Sequence, residues 1–234
     1  MALAFLTVCL VISLCVIWSY IVPVNVIHVD KTEDFEVEYC DDTYVIQMPT
    51  EYLQLPTVRA GLPLRVTLYA GPDPVAEQIA EIIRERFPTD SSKWLAWDVA
   101  MFIRQNIQYE QDDWVDRWKL PWETVRDGRG DCEDMACLML SILGYLGIDA
   151  VFVVSQNHAS VAVDTEGYDD YTVEYSGKTY RCISPMGAYL PGQYECRAWY
   201  AMPPGFCMAD GLGLALALLF FILVWSGLRR MLED

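Results

Sequence analysis

The stretch that decides the fold is residues 126–154, which read RDGRGDCEDMACLMLSILGYLGIDAVFVV. Two glycines mark a turn at its start, and Asp131 is a residue type that commonly caps the beginning of a helix. From Cys132 to Leu146 the apolar residues follow helical spacing, which predicts a helix with a buried face. Gly147 ends this helix, and the β-branched run Ile148–Val154 predicts a buried strand.

Helices are predicted before this stretch and strands after it. Asp73 followed by Pro74 is typical of a helix start, and a second helix is expected from Ser91 or Ser92 to Ile107. An aromatic and acidic loop is expected over residues 109–125. Further strands are predicted at residues 44–48, 64–69, 158–163, 171–175 and 178–182. Helices followed by a run of antiparallel strands indicate an α+β fold.

Composition excludes several classes of protein. The chain has 234 residues, with 33 acidic and 16 basic side chains, so its formal net charge is −17. A nucleic-acid-binding protein would need clustered Lys and Arg, so nucleic acid is not expected as a partner. The 53% of hydrophobic residues excludes a disordered chain.

Both ends of the chain are strongly apolar. Ala2–Val22 carries no charged residue, and residues 211–228 are eighteen uncharged residues followed by Arg229 and Arg230. About 20 apolar residues cross a bilayer as a helix, so two transmembrane helices are expected. A cleavable signal peptide is the alternative for the first. The Arg pair predicts a two-pass cell-membrane protein with both termini in the cytoplasm and the middle segment outside.

An extracytoplasmic location would permit disulfides. Two bridges in three alternative pairings are open to Cys40, Cys182, Cys196 and Cys207. Cys137 is expected in the core, because it lies on a different side of its helix from Cys132. The chain has no CxxC motif and only two histidines, so neither a metal site nor a cofactor is predicted.

The candidate chemistry centres on Cys132, in the first turn of the long helix. Backbone N–H groups and the helix dipole favour an anion there, and thus a thiolate. The adjacent carboxylates of Asp131 and Glu133 oppose a thiolate, so the cysteine would depend on an imidazolium partner. His158 is the only candidate in the middle segment, and it begins the strand after the one that the cysteine helix enters.

These residues resemble a known family. The segment from Gly128 to Val154, with NHASVAV and YSGKTYRCISP after it, is similar to the core of the transglutaminase-like superfamily over about Trp94–Gly187. That family has a Gly-x-Cys motif opening a helix, a His-led strand, and a return strand bearing an acidic residue. The resemblance implies a papain-like α+β core in which Cys132 is the nucleophile and His158 the general base.

The third catalytic position departs from the family pattern. Where the family usually has a carboxylate, this chain has Ser184, before Pro185. A serine can accept the imidazole N–H, but it cannot stabilise an imidazolium as a carboxylate does.

Asp164 is not an easy substitute for that carboxylate, because it lies six residues beyond His158, about 20 Å along a straight strand. Asn157 is adjacent to the histidine and points elsewhere on an extended backbone. The positions of Asp170 and Glu174 depend on strand pairing.

The expected fold class is therefore α+β, with a papain/transglutaminase-like core flanked by two transmembrane helices. The expected segments are an anchor (1–27), a β-rich extension (28–70), the transglutaminase-like domain (71–208), a second span (209–228) and a tail (229–234).

The expected function is a thiol enzyme acting on peptide or glutaminyl amide bonds of a peptide or protein substrate. Hydrolysis is favoured over cross-linking because water needs no second binding site. The alternative is an inactive domain used as a binding module. The tryptophans that could line a substrate cleft, or simply cover the helices, are Trp114, Trp118 and Trp122.

Overall fold

The computed structural model describes residues 25–28, 34–48, 51–54, 66, 69–112, 117–155, 158–187, 189–196 and 200–202. Its helices are α1 (Pro74–Arg86), α2 (Ser92–Asn106), α3 (Pro121–Asp127) and α4 (Cys132–Tyr145). The strands before α4 are β1 (Asn25–His28), β2 (Phe35–Tyr39), β3 (Asp42–Ile46), β4 (Glu51–Gln54), β5 (Gln108–Tyr109) and β6 (Arg129–Gly130). Those after it are β7 (Ala150–Val154), β8 (Ala159–Val163), β9 (Thr172–Tyr175), β10 (Lys178–Ile183) and β11 (Tyr200–Met202).

Helix α1 begins where the sequence predicts. Pro74 occupies its first turn, and the Asp73 carboxylate accepts hydrogen bonds from the backbone N–H groups of Val75 (2.9 Å) and Ala76 (3.2 Å). The same carboxylate accepts a bond from the Trp122 N–H at 3.3 Å. Asp73 therefore caps α1 and joins it to α3.

Helix α4 is the centre of the core. It packs against α1, α2 and α3 on one side and against β7 and β8 on the other. Because neighbours surround it, even residues that would face solvent on a surface helix are buried, including Ser141 and the predicted core residue Cys137. The helix ends one residue before the predicted Leu146.

The main sheet has the strand order β11–β7–β8–β10–β9, and each neighbouring pair is antiparallel. Its two faces bury two separate clusters of side chains. Val161 and Val163 of β8 belong to the first cluster, which also contains the helices. Ala162, between them, belongs to the second cluster together with Cys182 of β10. This alternation follows from the two-residue period of a strand.

A β2–β3 hairpin packs beside α2. Tyr39 is buried at its tip end and contacts Phe102 edge-on, with ring centroids 5.6 Å apart. The Asn106 side chain hydrogen-bonds the backbone N–H and C=O of Glu38 at 2.9 and 2.7 Å. The hairpin thus closes the first cluster on the side away from the main sheet.

Two local predictions are wrong. Of the strand predicted at residues 64–69, the described residues form a helical turn instead, because the Ala70 N–H donates to the Val66 carbonyl at 2.9 Å. The loop predicted over 109–125 contains the start of α3. Pro121 opens that helix, and the Glu123 carboxylate accepts from the Leu120 N–H at 3.0 Å.

The predicted fold class is also wrong in one respect, the two flanking transmembrane helices. No helix in the described part of the chain is long and apolar enough to cross a membrane. The longest of them, α2, has 15 residues, or about 22 Å at 1.5 Å per residue, against a hydrocarbon core of about 30 Å. The described part of the chain is mixed α and β and contains no such span. The segments for which the two spans were predicted, residues 2–22 and 211–228, lie outside the described residues.

One pair of cysteines is joined. A disulfide links Cys182 in β10 to Cys196, with Cα atoms 6.1 Å apart. Cys40 is reduced and half-buried, and Cys207 lies outside the described residues. This bridge is one link of one of the three pairings open to the sequence, and the other link of that pairing, between Cys40 and Cys207, involves a residue outside the described part of the chain.

Candidate active site at the start of helix α4

Cys132 is the first residue of α4 and is half-buried. The backbone turns into the helix at Asp131, whose carbonyl accepts the Met135 N–H at 3.1 Å. The Cys132 thiol donates to the Glu133 carboxylate at 3.1 Å. Its sulfur also accepts a hydrogen bond from the backbone N–H of Ala159. The start of α4 and the start of β8 therefore meet at this sulfur.

The surroundings keep the thiol protonated. The pKa of Cys132 is raised from 9.0 to about 12, chiefly by burial. The Ala159 N–H lowers this pKa by stabilising the thiolate, but the negative charge of Glu133, its hydrogen bond with the thiol and the charge of Asp131 all raise it. The opposition expected from the adjacent carboxylates is thus present, although burial is the larger cause of the raised pKa.

Gly130 allows the turn before the cysteine to pack tightly. A Cβ at this position would lie 2.8 Å from the Cβ of Asp134. Asp134 is almost fully buried, and its carboxylate accepts the Lys119 backbone N–H at 2.7 Å and lies 3.7 Å from the Lys119 ammonium. Burial, as the largest effect, raises the pKa of Asp134 to about 7. The glycine of the Gly-x-Cys motif therefore makes room for the carboxylate that fastens residues 117–120 to α4.

His158 lies immediately before β8. Its carbonyl accepts the backbone N–H of Ser155 at 2.9 Å and the Ser155 hydroxyl at 3.1 Å. Its imidazole contacts the ring of Tyr194 edge-on, with centroids 6.2 Å apart and planes at 61°. Burial lowers the pKa of His158 below its ordinary value, which favours the neutral imidazole.

The structure brings Cys132 and His158 to the same end of the sheet. The residue that donates to the cysteine sulfur, Ala159, directly follows the histidine. The imidazole contacts Tyr194, which packs against the second cluster, whereas Cys132 packs against the first. Within the described residues no hydrogen bond joins the Cys132 sulfur to the His158 ring, and their pairing stays a prediction.

Ser184 follows β10 and is buried. Its hydroxyl oxygen accepts the Met186 N–H at 3.2 Å, and its side chain is hydrogen-bonded to the Tyr194 hydroxyl. The predicted third catalytic residue therefore contacts Tyr194, which in turn contacts the imidazole. Its role toward His158 also stays a prediction.

The alternatives to Ser184 lie in other interactions. Asp164 binds the Lys178 ammonium at 3.1 Å, and the exposed Glu174 accepts the Thr179 hydroxyl at 2.6 Å. Asn157 lies outside the described residues. Strand pairing thus directs these two carboxylates to surface contacts.

Part of the chain is similar to a known family. Residues 77–173 match the family model DUF553, described as a transglutaminase-like domain. This match supports the transglutaminase-like superfamily. Among solved structures, one named "Putative Cysteine Protease from Cytophaga hutchinsonii" is 13% identical with a TM-score of 0.36, covering 72% of this chain and 68% of that one. No curated protein gives a significant match.

Tyr194 is the residue of the candidate site that the sequence did not reveal. Tyr194 contacts His158 and Ser184. Burial is the main cause of its raised pKa, and Cys132 lies close enough that a thiolate there would raise this pKa further. Tyr194 belongs to a segment without helix or strand, so no periodicity marks it. The available signal was its position two residues before Cys196, which the disulfide anchors to the sheet.

The tryptophans that could have lined a cleft belong to the core. Trp118 is buried and stacks on Phe152 with ring centroids 5.6 Å apart, and it also contacts Tyr69. Trp122 is buried as well, and Trp114 lies outside the described residues. The two described tryptophans therefore pack the helices against the sheet.

A polar cavity of about 620 Å³ lies elsewhere. It is lined by Asp90, Ser91, Ser92, Asp164, Thr165, Glu166 and Arg181. Since Asp164 follows the last residue of β8 and His158 precedes the first, the cavity is at the opposite end of that strand from the cysteine. In the described part of the chain no group of His, Cys, Asp or Glu side chains is arranged to hold a metal ion.

Proposed function

We propose that the transglutaminase-like domain is a thiol acyl-transfer enzyme that acts on peptide or glutaminyl amide bonds. Cys132 is the nucleophile and His158 the general base. The observation that carries the proposal is that Cys132 opens the buried helix α4, which packs against β8, the strand that follows His158. It supports a nucleophile at the N-terminus of a buried helix, next to the histidine.

The proposed reaction proceeds in two steps. The Cys132 thiol gives its proton to the His158 imidazole, and the sulfur attacks the amide carbonyl carbon. The C–N bond breaks, the leaving amine takes the proton from the imidazolium, and a thioester remains on Cys132. Water then loses a proton to His158 and attacks the thioester, which releases the acid and restores the thiol.

The position of the sulfur suits the charge that develops. The carbonyl oxygen becomes an oxyanion during attack, and the free backbone N–H groups in the first turn of a helix are suited to stabilise it. Water is the proposed acceptor, since hydrolysis requires no second site for an amine. The protonated resting thiol means that proton transfer to His158 must accompany attack.

A second candidate is a peptide-binding module without catalysis. The specific observation in its favour is the raised pKa of Cys132, whose thiol donates to Glu133. With Ser184 in place of a carboxylate, an imidazolium at His158 would also have less support. Such a module would use the same surface around Cys132 but form no covalent intermediate.

Acylation by an activated ester distinguishes the thiol enzyme from the binding module. The full chain would be reacted with a p-nitrophenyl ester, and the modified residue identified by peptide mass. We expect acylation of Cys132, loss of that adduct in Cys132→Ala, and slower acylation in His158→Gln. Cys40→Ala is the matched control, because Cys40 is also reduced and half-buried but lies in the β2–β3 hairpin. Acylation that Cys132→Ala leaves unchanged would favour the binding module.

A further inference from the structure

Tyr194 lies against the imidazole of His158. The two rings are edge-on, and both side chains are half-buried. Because Tyr194 also packs against the second cluster, its ring is supported from behind by the sheet. An imidazole in such a contact loses rotational freedom, which fixes the direction in which its nitrogens point.

The hydroxyl of Tyr194 is held as well. Ser184 lies close enough to this hydroxyl to lower the pKa of Tyr194, and the Ser184 oxygen accepts the Met186 N–H at 3.2 Å. Ser184 is buried at the end of β10, so the phenol is anchored to the sheet rather than to a mobile surface group. The serine at the family's carboxylate position thus acts on the ring that contacts the histidine.

The backbone on both sides of Tyr194 is tied to β10. Two residues before it, the Gly192 N–H donates to the Cys182 carbonyl at 2.9 Å. Gly192 has a positive φ of 85°, and a Cβ there would overlap the Tyr168 carbonyl, so glycine is required. Two residues after it, Cys196 is joined to the fully buried Cys182 by the disulfide.

On the basis of the function proposed above, we infer that Tyr194 is a positioning residue for this site. Its ring holds the imidazole of His158 at the end of the sheet where Cys132 lies, and Ser184 and the Cys182–Cys196 disulfide hold the ring. An aromatic ring with a serine behind it takes the structural place of the carboxylate that usually orients the histidine.

The first test measures the histidine directly. The chain has only two histidines, so NMR titration of the full chain gives two imidazole signals, which His158→Gln assigns. Tyr194→Ala removes the ring that covers the imidazole, so the pKa of His158 should rise toward its ordinary value. Tyr194→Phe keeps the ring, so this pKa should stay lowered. Tyr189→Ala is the matched control: the ring of Tyr189 contacts that of Tyr194 at a tilt of 44°, with centroids 5.9 Å apart, but Tyr189 is 48% exposed.

The second test measures the reaction. We expect Tyr194→Ala to acylate at Cys132 about 10- to 100-fold more slowly than the unaltered chain with the KM for the ester preserved, since small misplacements of catalytic groups have such effects. Cys196→Ser should also raise the His158 pKa and lower the acylation rate, each by less than Tyr194→Ala does. Tyr189→Ala should change neither by more than about twofold.

The two readouts separate this inference from the proposed function. If the unaltered chain forms no acyl adduct but Tyr194→Ala raises the His158 pKa, the proposed function fails and the positioning contact stands. If Tyr194→Ala leaves both the pKa and the rate unchanged, the inference is overturned. A fall in rate without any change at His158 would also overturn it, because the loss would then be structural.

Discussion

Replacement of Glu133 by Gln should make Cys132 more acidic. The Glu133 carboxylate lies 3.1 Å from the sulfur, and both its charge and its hydrogen bond raise the thiol pKa. At that distance two unit charges interact by about 1.3 kcal/mol in water and about 5 kcal/mol at an effective dielectric constant of 20. Since about 1.4 kcal/mol equals one pKa unit, a fall of about 1 to 2 units is a conservative expectation.

The fall in pKa should appear as faster alkylation. At pH values where the rate still rises with pH, a Cys132 pKa lower by about 1 to 2 units increases the thiolate fraction about 10- to 100-fold. The thiolate of a more acidic thiol is, however, less nucleophilic. With a Brønsted coefficient of about 0.45, the net gain in rate is about 3- to 12-fold. The rate would be measured with iodoacetamide on the Cys132 peptide by mass spectrometry, because Cys40 and Cys137 are also reduced.

Glu110→Gln is the matched control for this experiment. Glu110 lies on the same side of the domain, since its N–H donates to the Gly130 carbonyl, but its carboxylate binds Arg129 at 3.2 Å. We expect its alkylation rate to stay within about twofold of the unaltered chain. An unchanged rate in Glu133→Gln, or an equal gain in Glu110→Gln, would refute the electrostatic explanation of the high thiol pKa.

Three further predictions concern stability. Gly130→Ala should destabilise the fold by about 1–3 kcal/mol in urea unfolding, because its Cβ would meet Asp134, whereas Gly144→Ala, with open space in α4, should stabilise it by about 0.5–1 kcal/mol. The raised pKa of Asp134, about 7, means that the folded state holds this proton more tightly than the unfolded state. Stability should therefore fall as the pH rises from about 4 to about 7, and Asp134→Asn should flatten that slope in thermal unfolding. Asp73→Ala should cost about 1–2 kcal/mol through loss of the α1 cap, and Asp73→Asn clearly less, in the same urea assay.

The helices and the main sheet were predictable because local chemistry determines them. Asp73 and Pro74 mark a helix start in any context, and the apolar spacing after Cys132 admits little besides a buried helix. The Ser176–Gly177 turn predicts the β9–β10 hairpin, and both residues have positive φ. Cys132 and His158 were chosen because the sequence places them at the start of a helix and of a strand, and their catalytic roles stay predictions.

The interactions that complete the site were not predictable. The hydrogen bond between Tyr194 and Ser184 depends on how a segment without regular structure returns over the sheet, and no spacing encodes that return. The Cys182–Cys196 bridge was one of several pairings that a sequence allows equally. Helix α3 was missed because it has only seven residues, and three of them, Pro121, Thr124 and Asp127, are of types that are also common in loops. A tertiary contact with Asp73 stabilises the helix.

The central claim is that Cys132 and His158 form one reactive pair at the start of α4. Its most direct test is a crystal structure of the protein acylated at Cys132, from which the distance between the sulfur and the nearer imidazole nitrogen is measured. The proposed mechanism predicts about 4 Å or less, within reach of one proton transfer. An acylated cysteine whose sulfur is separated from the imidazole by the end of β8 would contradict it.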